Sequence, residues 1–205
     1  MSRIRPLSDE ELGDLAKAFE PTIKRMGFVP NSQRVMAYKP ELLNAFAELG
    51  RAVNKETEGS IPAALKSMIA NASSLAAGCM YCIAHTGSTT SRTGVDDETI
   101  SAIWEFETSD RFTEAERAAL RFAQAASAVP NMVSDADFAE LRRYYTDYQI
   151  VEIVGVIAMF GFLNRWNDTM ATALEEEPVE FAERALKDRG WNGGKHLATP
   201  GEAAE

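Results

Sequence analysis

The chain has 205 residues, of which 45% are hydrophobic and 25% are charged, a composition typical of a folded protein with a sizeable apolar core. Its 31 acidic residues outnumber its 21 basic ones, so the formal net charge is -10. This balance excludes functions that need clustered Lys and Arg, such as binding a nucleic-acid backbone or an anionic membrane surface. We therefore expect no nucleic-acid partner and no membrane partner.

Helix signals follow one another along the whole chain. Ser8, Thr113 and Thr146 each precede a Glu or Gln by three residues, which is the capping-box pattern that begins a helix. Apolar residues then recur at helical spacing, whereas no alternating run of Val, Ile or Tyr predicts a strand. The predicted helices cover residues 9–26, 40–53, 61–75, 79–92, 97–106, 114–129, 135–141 and 147–174, with one more short helix over 181–186 after a break at Pro178.

The predicted fold class is all-α, as one single-domain helical bundle over residues 1–192. Within it, a segment of about 40–106 carries the motif described below, and 113–190 forms the second helical half. Residues 193–205 contain two Gly- or Pro-rich pairs and few apolar residues, which predicts a mobile tail that leaves His196 uninvolved.

The start of the chain has no apolar stretch that could serve as a signal-peptide core. Its longest apolar run, 153–163, is far shorter than the roughly 20 residues that span a bilayer. We therefore expect a cytoplasmic protein. The helix around 150–163 is apolar nearly all round, which predicts a position at the centre of the domain and burial against a second subunit.

The sequence has two cysteines, Cys79 and Cys82, separated by two residues. A Cys-x-x-Cys pair at a helix start brings the sulfurs within bridging distance, and the helix N-terminus favours thiolate. His85 lies three residues beyond Cys82 on the same helix face, where it can exchange a proton with that thiol. This spacing nominates Cys82 as the attacking thiolate and Cys79 as the resolving thiol, while Tyr81 is expected mainly to pack.

With Gly before the pair and Tyr and His around its second cysteine, the sequence resembles the alkylhydroperoxidase D-like and carboxymuconolactone decarboxylase superfamily, in particular its uncharacterised peroxidase-related branch. The resemblance covers about 40–174. The segments that carry it are the Ala-rich helix leading to Gly78, Cys79-Met-Tyr-Cys82-Ile-Ala-His85-Thr86, Gly94 to Ile100, Phe112 to Leu120, and Phe162 to Asp168.

The resemblance implies a homo-oligomer (dimer, trimer or hexamer) that reduces organic hydroperoxides. In the family, the second cysteine attacks the peroxide, the resulting sulfenic acid condenses with the first cysteine, and an external dithiol or protein reductant resets the disulfide. No metal or other cofactor is implied.

The sequence departs from the family pattern at two places. The family's His stands one residue later, at the position of Thr86, which keeps it on the same helix face. The family's proton-relay Glu is replaced by Ser67, so another carboxylate, such as Glu152, is a candidate substitute.

Other functions and roles stay open from the sequence. The same cysteine pair could also act on a protein disulfide, as a disulfide oxidoreductase. A lactone decarboxylase-like lyase is one further alternative, and a non-catalytic, redox-responsive oligomer is another. The cysteines could also be buried structural residues or, with His85, three of the four ligands that zinc requires. The acidic run 175–177 is interpreted as a solvated helix end, and the polar residues of 164–168 as groups for interhelical or subunit contacts.

Overall fold

The computed structural model describes residues 2–197, apart from the side chains of Ala18, Pro21 and Arg25. Within that range it consists of helices and loops without a strand, which confirms the all-α prediction. The α-helices are α1 (Asp9–Leu12), α2 (Glu20–Met26), α3 (Asn31–Met36), α4 (Pro40–Asn54), α5 (Ala63–Ala77), α6 (Met80–Arg92), α7 (Asp97–Ser101), α8 (Glu114–Ser127), α9 (Asp135–Leu141), α10 (Asp147–Met170) and α11 (Glu176–Ala185). Short 3-10 segments cover Gly13–Phe19, Ala102–Glu105, Lys187–Arg189 and Gly194–His196.

The three predicted capping boxes form. The Ser8, Thr113 and Thr146 hydroxyl oxygens each accept the backbone N–H three residues ahead, while the Glu or Gln at that position accepts the N–H of the cap residue. The first predicted helix is nevertheless interrupted. Gly13 has a φ of +49°, so α1 ends after one turn and the chain continues as a 3-10 segment to α2.

The core is built around α5, which packs against α6, α8 and α10. Ile69 of α5, Leu120 of α8 and Ile153 of α10 are completely buried and belong to one apolar cluster. Each such side chain contributes about 1.5–3 kcal/mol when it leaves water. The α5–α6 hairpin, which carries the two cysteines, is therefore held by the most buried part of the molecule.

Helix α10 is long and apolar enough to cross a bilayer by length and composition. It behaves as a core helix, since Ile150, Ile153 and Val156 lie in the central cluster. Its opposite face exposes Tyr148 and Val151. The central position predicted for this helix is confirmed, and its burial against a second subunit stays a prediction.

The sequence interpretation placed the end of this helix too late. Ala171 adopts a left-handed conformation, so α10 ends at Met170. Pro178 lies inside the first turn of α11, where the N–H that proline lacks would have no helical partner in any case. Pro178 therefore belongs to the first turn of a helix and does not break one.

Residues 193–197 contact the domain, which the prediction of a mobile tail did not anticipate. His196 is 1% exposed, and its carbonyl oxygen accepts the N–H of Leu174 at 2.8 Å. The remainder of the predicted tail, 198–205, lies outside the described residues.

Candidate active site

The two cysteines stand at the turn between α5 and α6. Gly78 ends α5 with a φ of +69°, a left-handed conformation that glycine adopts without steric cost. Cys79 is the N-cap residue of α6, and its carbonyl oxygen accepts the N–H of Ile83 at 2.9 Å. Cys82 lies in the first turn of that helix. Both thiols are free and buried.

A cavity of about 710 Å³ lies beside Cys82. Most of its wall is contributed by α4, α5, α6 and α10, and residues of α2 and α3 complete it. Its volume falls within the range of about 300–1,000 Å³ that small organic ligands occupy. Cys79 does not line it. The polar side chains at its wall near the cysteine pair are Ser67, Tyr81, Cys82, His85, Thr86 and Asn167, and apolar ones are Leu43, Phe46, Val156, Met159, Phe160 and Leu163.

The two thiols differ in acidity. A hydrogen bond from Cys82 lowers the pKa of Cys79, which also stands at the helix N-terminus. Burial raises the pKa of Cys82 well above its usual value, although the Asn167 amide donates to its sulfur at 3.4 Å and opposes that shift. The lowered thiol pKa that we expected at the helix start is therefore found for Cys79. The expectation was wrong for Cys82, because burial raises its pKa by more than the helix N-terminus lowers it.

His85 is held by Glu175, a residue that the sequence interpretation assigned to a solvated helix end. The His85 Nε2 atom lies 2.6 Å from Glu175 Oε2, and the two side chains are 9% and 14% exposed. The other carboxylate oxygen accepts the Tyr81 hydroxyl at 3.0 Å and the backbone N–H of Asn31. The interpretation was wrong because α11 starts against α6, which buries Glu175 beside the His85 ring.

This arrangement keeps Glu175 ionised. Burial acts to raise its pKa, but the His85 charge and the hydrogen bonds from His85 and Asn31 more than offset it, so the pKa lies below its usual value. The Tyr81 ring stacks on His85 with centroids 4.3 Å apart, and burial raises the pKa of its hydroxyl well above normal. Tyr81 thus packs as predicted and also donates to Glu175.

The other two predicted supporting residues have different roles. Glu152 does not act as the substitute carboxylate: its oxygens accept Lys66 Nζ at 2.8 Å and the N–H of Ile61 at 2.9 Å. It is therefore one half of a buried ion pair, and the candidate substitution was wrong. Ser67 lines the cavity, but its hydroxyl donates to the Ala64 carbonyl at 2.9 Å and does not contact His85.

Cys79 faces away from the cavity toward Asp168 and His196. A sulfur, a carboxylate oxygen and a ring nitrogen of these three residues lie within 4.8 Å of one another. Among residues 2–197 this is the group of His, Cys and acidic side chains whose spacing suits a shared metal ion. The zinc alternative built on Cys79, Cys82 and His85 was wrong for the described residues, because the ligand atoms that lie together with Cys79 belong to Asp168 and His196.

Sequence reasoning missed Glu175 and His196. Glu175 is 90 residues from its partner His85, and no periodic pattern links them. One available signal was its place just before a helix, where a carboxylate is favoured by the N-terminal dipole. His196 is followed by the apolar Leu197, which hints at a local anchor within an otherwise polar tail.

Known proteins resemble this chain in sequence and in structure. The model of the carboxymuconolactone decarboxylase family matches residues 40–125. The debrominase Bmp8 in its apo form is 40% identical, with a TM-score of 0.80 over 88% of this chain and 96% of Bmp8. A cysteine-to-alanine variant of Bmp8 in complex with 2,3,4-tribromopyrrole gives 38% identity and a TM-score of 0.81, over 89% of this chain and 96% of the variant.

An uncharacterized peroxidase-related protein with an alkylhydroperoxidase AhpD core, from Ralstonia eutropha JMP134, is 25% identical with a TM-score of 0.77, over 88% of this chain and 95% of its own. No curated protein is significantly similar. The match to Bmp8 extends over nearly the whole of both chains, and the family model spans the cysteine pair. The chain therefore belongs to the alkylhydroperoxidase D-like and carboxymuconolactone decarboxylase superfamily.

Proposed function

We propose that this protein is a dithiol-dependent reductase whose substrate is a small, apolar organic hydroperoxide. The observation that carries the proposal is the position of the Cys82 thiol at the wall of a largely apolar cavity of about 710 Å³. Its partner Cys79 stands behind it, away from the cavity. Membership of the superfamily, with a peroxidase-related neighbour, supports an enzyme of this general kind.

In the first step the Cys82 sulfur attacks the terminal peroxide oxygen and the O–O bond breaks. The thiol proton is transferred to the departing alkoxide, which leaves as an alcohol, and Cys82 becomes a sulfenic acid. Cys79 then attacks that sulfur as a thiolate and displaces hydroxide, which takes up a proton to form water. The two thiols have supplied both electrons, and an external dithiol or protein reductant regenerates them.

His85 is the proton carrier in this proposal. It lines the cavity one helical turn beyond Cys82, and its Nε2 atom is held by the Glu175 carboxylate. A buried carboxylate fixes the orientation and tautomer of a histidine and stabilises its protonated form. Glu175 therefore takes the place of the family's relay carboxylate that Ser67 replaces.

A second candidate is the reductive removal of a halogen from a small aromatic ring. It is favoured by the 40% identity to the debrominase Bmp8. The electron balance is the same: an aryl halide and two thiols give the arene, a halide ion, a proton and the disulfide. The Cys82 cavity is large enough for either substrate class.

The products that the protein releases distinguish the two candidate activities. Reduced protein is incubated with dithiothreitol and either cumene hydroperoxide or 2,3,4-tribromopyrrole, and the alcohol or bromide released is counted per protein. We expect wild-type protein to turn over the hydroperoxide many times, and Cys82→Ser not to turn it over at all. Bromide release without alcohol supports the second candidate, and no turnover of either substrate would overturn both.

Two alternatives on the same fold predict other results. A lactone decarboxylase-like lyase would release carbon dioxide whether or not the cysteines are present. A redox-responsive oligomer would oxidise once per chain and not cycle.

We infer a homo-oligomer, because the outer face of α10 exposes Tyr148 and Val151, and we expect a second copy of the chain to cover them. Sedimentation tests this assembly.

A further inference from the structure

One buried polar atom near the cysteine pair lacks a partner. His196 is 1% exposed, and its Nδ1 atom lies 2.8 Å from the Thr172 carbonyl oxygen. A carbonyl can only accept, so Nδ1 carries the proton and Nε2 presents a lone pair. Nε2 is buried without a hydrogen-bond partner. Such an atom needs an explanation, because an unsatisfied buried polar group costs free energy.

The unpartnered nitrogen faces two good metal ligands. The Asp168 carboxylate lies 3.7 Å from Nε2, and the Cys79 sulfur completes a group whose ligand atoms are within 4.8 Å of one another. The three come from separate parts of the chain: the start of α6, the end of α10 and the segment after α11. Each is therefore held in position by a different element.

We propose that Cys79, Asp168 and His196 form a binding site for Zn²⁺ in the reduced protein. A thiolate, a neutral imidazole and a carboxylate are the ligand types that zinc prefers, and three protein ligands with one open position are a common zinc arrangement. The open position is filled by water from the solvent side, since Asp168 is 49% exposed. In this site Zn²⁺ displaces the Cys79 proton and forms a Zn–S bond.

One cationic side chain competes with a metal ion at this site. Lys195 is the opposing group: its ammonium lies 2.8 Å from the Asp168 carboxylate at the surface and leaves that carboxylate when a divalent cation binds.

This inference does not rest on the reaction proposed above, but it has a consequence for it. Cys79 cannot hold Zn²⁺ and also form a disulfide with Cys82, so bound zinc keeps the pair reduced and unreactive. Zinc affinity and disulfide formation are then linked, and oxidation of the pair releases the ion.

The test is a Zn²⁺ titration of the full-length reduced protein against a chromogenic chelator, repeated with Co²⁺ to detect thiolate ligation by its charge-transfer absorbance. We expect one Zn²⁺ per reduced chain. His196→Ala weakens binding by more than about 100-fold, the upper end of what loss of a supporting group costs a metal site. Asp168→Asn weakens it less. Wild-type protein oxidised with diamide loses the site without any substitution.

His85→Ala is the matched control, because it removes the histidine of the cysteine motif and leaves the three proposed ligands in place. Zinc should also slow the reaction of the reduced thiols with a disulfide reagent in wild type but not in His196→Ala. Absence of stoichiometric binding by reduced protein, or equal binding by the oxidised form, would overturn the proposal. Loss of binding in His85→Ala with retention in His196→Ala would do the same.

Discussion

Replacing Glu175 with Gln tests whether its carboxylate positions His85. The substitution preserves the size of the side chain and one oxygen that can accept from Tyr81 and Asn31. The other oxygen, 2.6 Å from His85 Nε2, is lost with its charge. An amide NH₂ group at that place donates a hydrogen bond. The His85 Nε2 atom must then accept it with its lone pair, and the ring proton must sit on Nδ1.

The lost interaction is a charge-assisted hydrogen bond between two buried groups, worth about 1.5–3 kcal/mol. At 1.4 kcal/mol for each factor of ten, the rate at which Cys82 consumes hydroperoxide should fall by about 10- to 150-fold. The assay is rapid mixing with cumene hydroperoxide, followed by acid quench and a thiol count. Glu177→Gln is the matched control, since that carboxylate pairs with Ser88 and not with His85.

A wild-type rate in Glu175→Gln together with a slow rate in His85→Ala would show that Glu175 does not position His85, because His85 would then act without its carboxylate partner. If both variants react at the wild-type rate, the histidine takes no part in the first step. Circular dichroism of each variant establishes that the helices are retained.

Other predictions concern stability. Lys66→Met leaves the buried Glu152 carboxylate without its cation and should cost about 3–5 kcal/mol, which lowers Tm by about 6–20 °C; making Glu152→Leu as well should recover most of the loss. Gly87→Ala places a Cβ 2.5 Å from a Phe181 ring carbon and should cost about 1–3 kcal/mol in urea unfolding. Because the pKa of Glu175 is lowered on folding, its contribution is complete above the unfolded pKa of about 4.5 and is lost as pH falls through the lower folded value. The difference in unfolding free energy between wild type and Glu175→Gln should therefore shrink below about pH 4.5, and a constant difference would contradict this assignment.

The helices and the cysteine pair could be predicted because their signals are local. The capping boxes at Ser8, Thr113 and Thr146 specify helix starts within four residues, and the spacing of Cys82 and His85 specifies a shared helix face. One local signal was nevertheless given too little weight. Gly13 divides the first helix although the apolar periodicity runs through it.

The partners of these motif residues could not be predicted from local patterns. Glu175 reaches His85, and His196 reaches Cys79, only because α11 and the segment after it fold back onto α6. Glu152 is a conspicuous carboxylate in the apolar helix α10, but it forms an ion pair with the buried Lys66 of α5. In the acidic run 175–177, the place of Glu175 just before a helix indicates a favoured carboxylate, but it does not indicate burial against His85.

In the proposed reaction, Cys82 attacks the substrate and Cys79 closes the disulfide. The most direct test of these roles is a thiol count on reduced protein before and after one equivalent of cumene hydroperoxide, with mass spectrometry of a dimedone-trapped sample. Wild type should lose both thiols, Cys82→Ser should keep Cys79 reduced, and Cys79→Ser should accumulate a sulfenic acid on Cys82. Rapid oxidation of Cys79 in the Cys82→Ser protein would contradict these roles of the two cysteines, and so would a wild type whose thiols do not react with the peroxide.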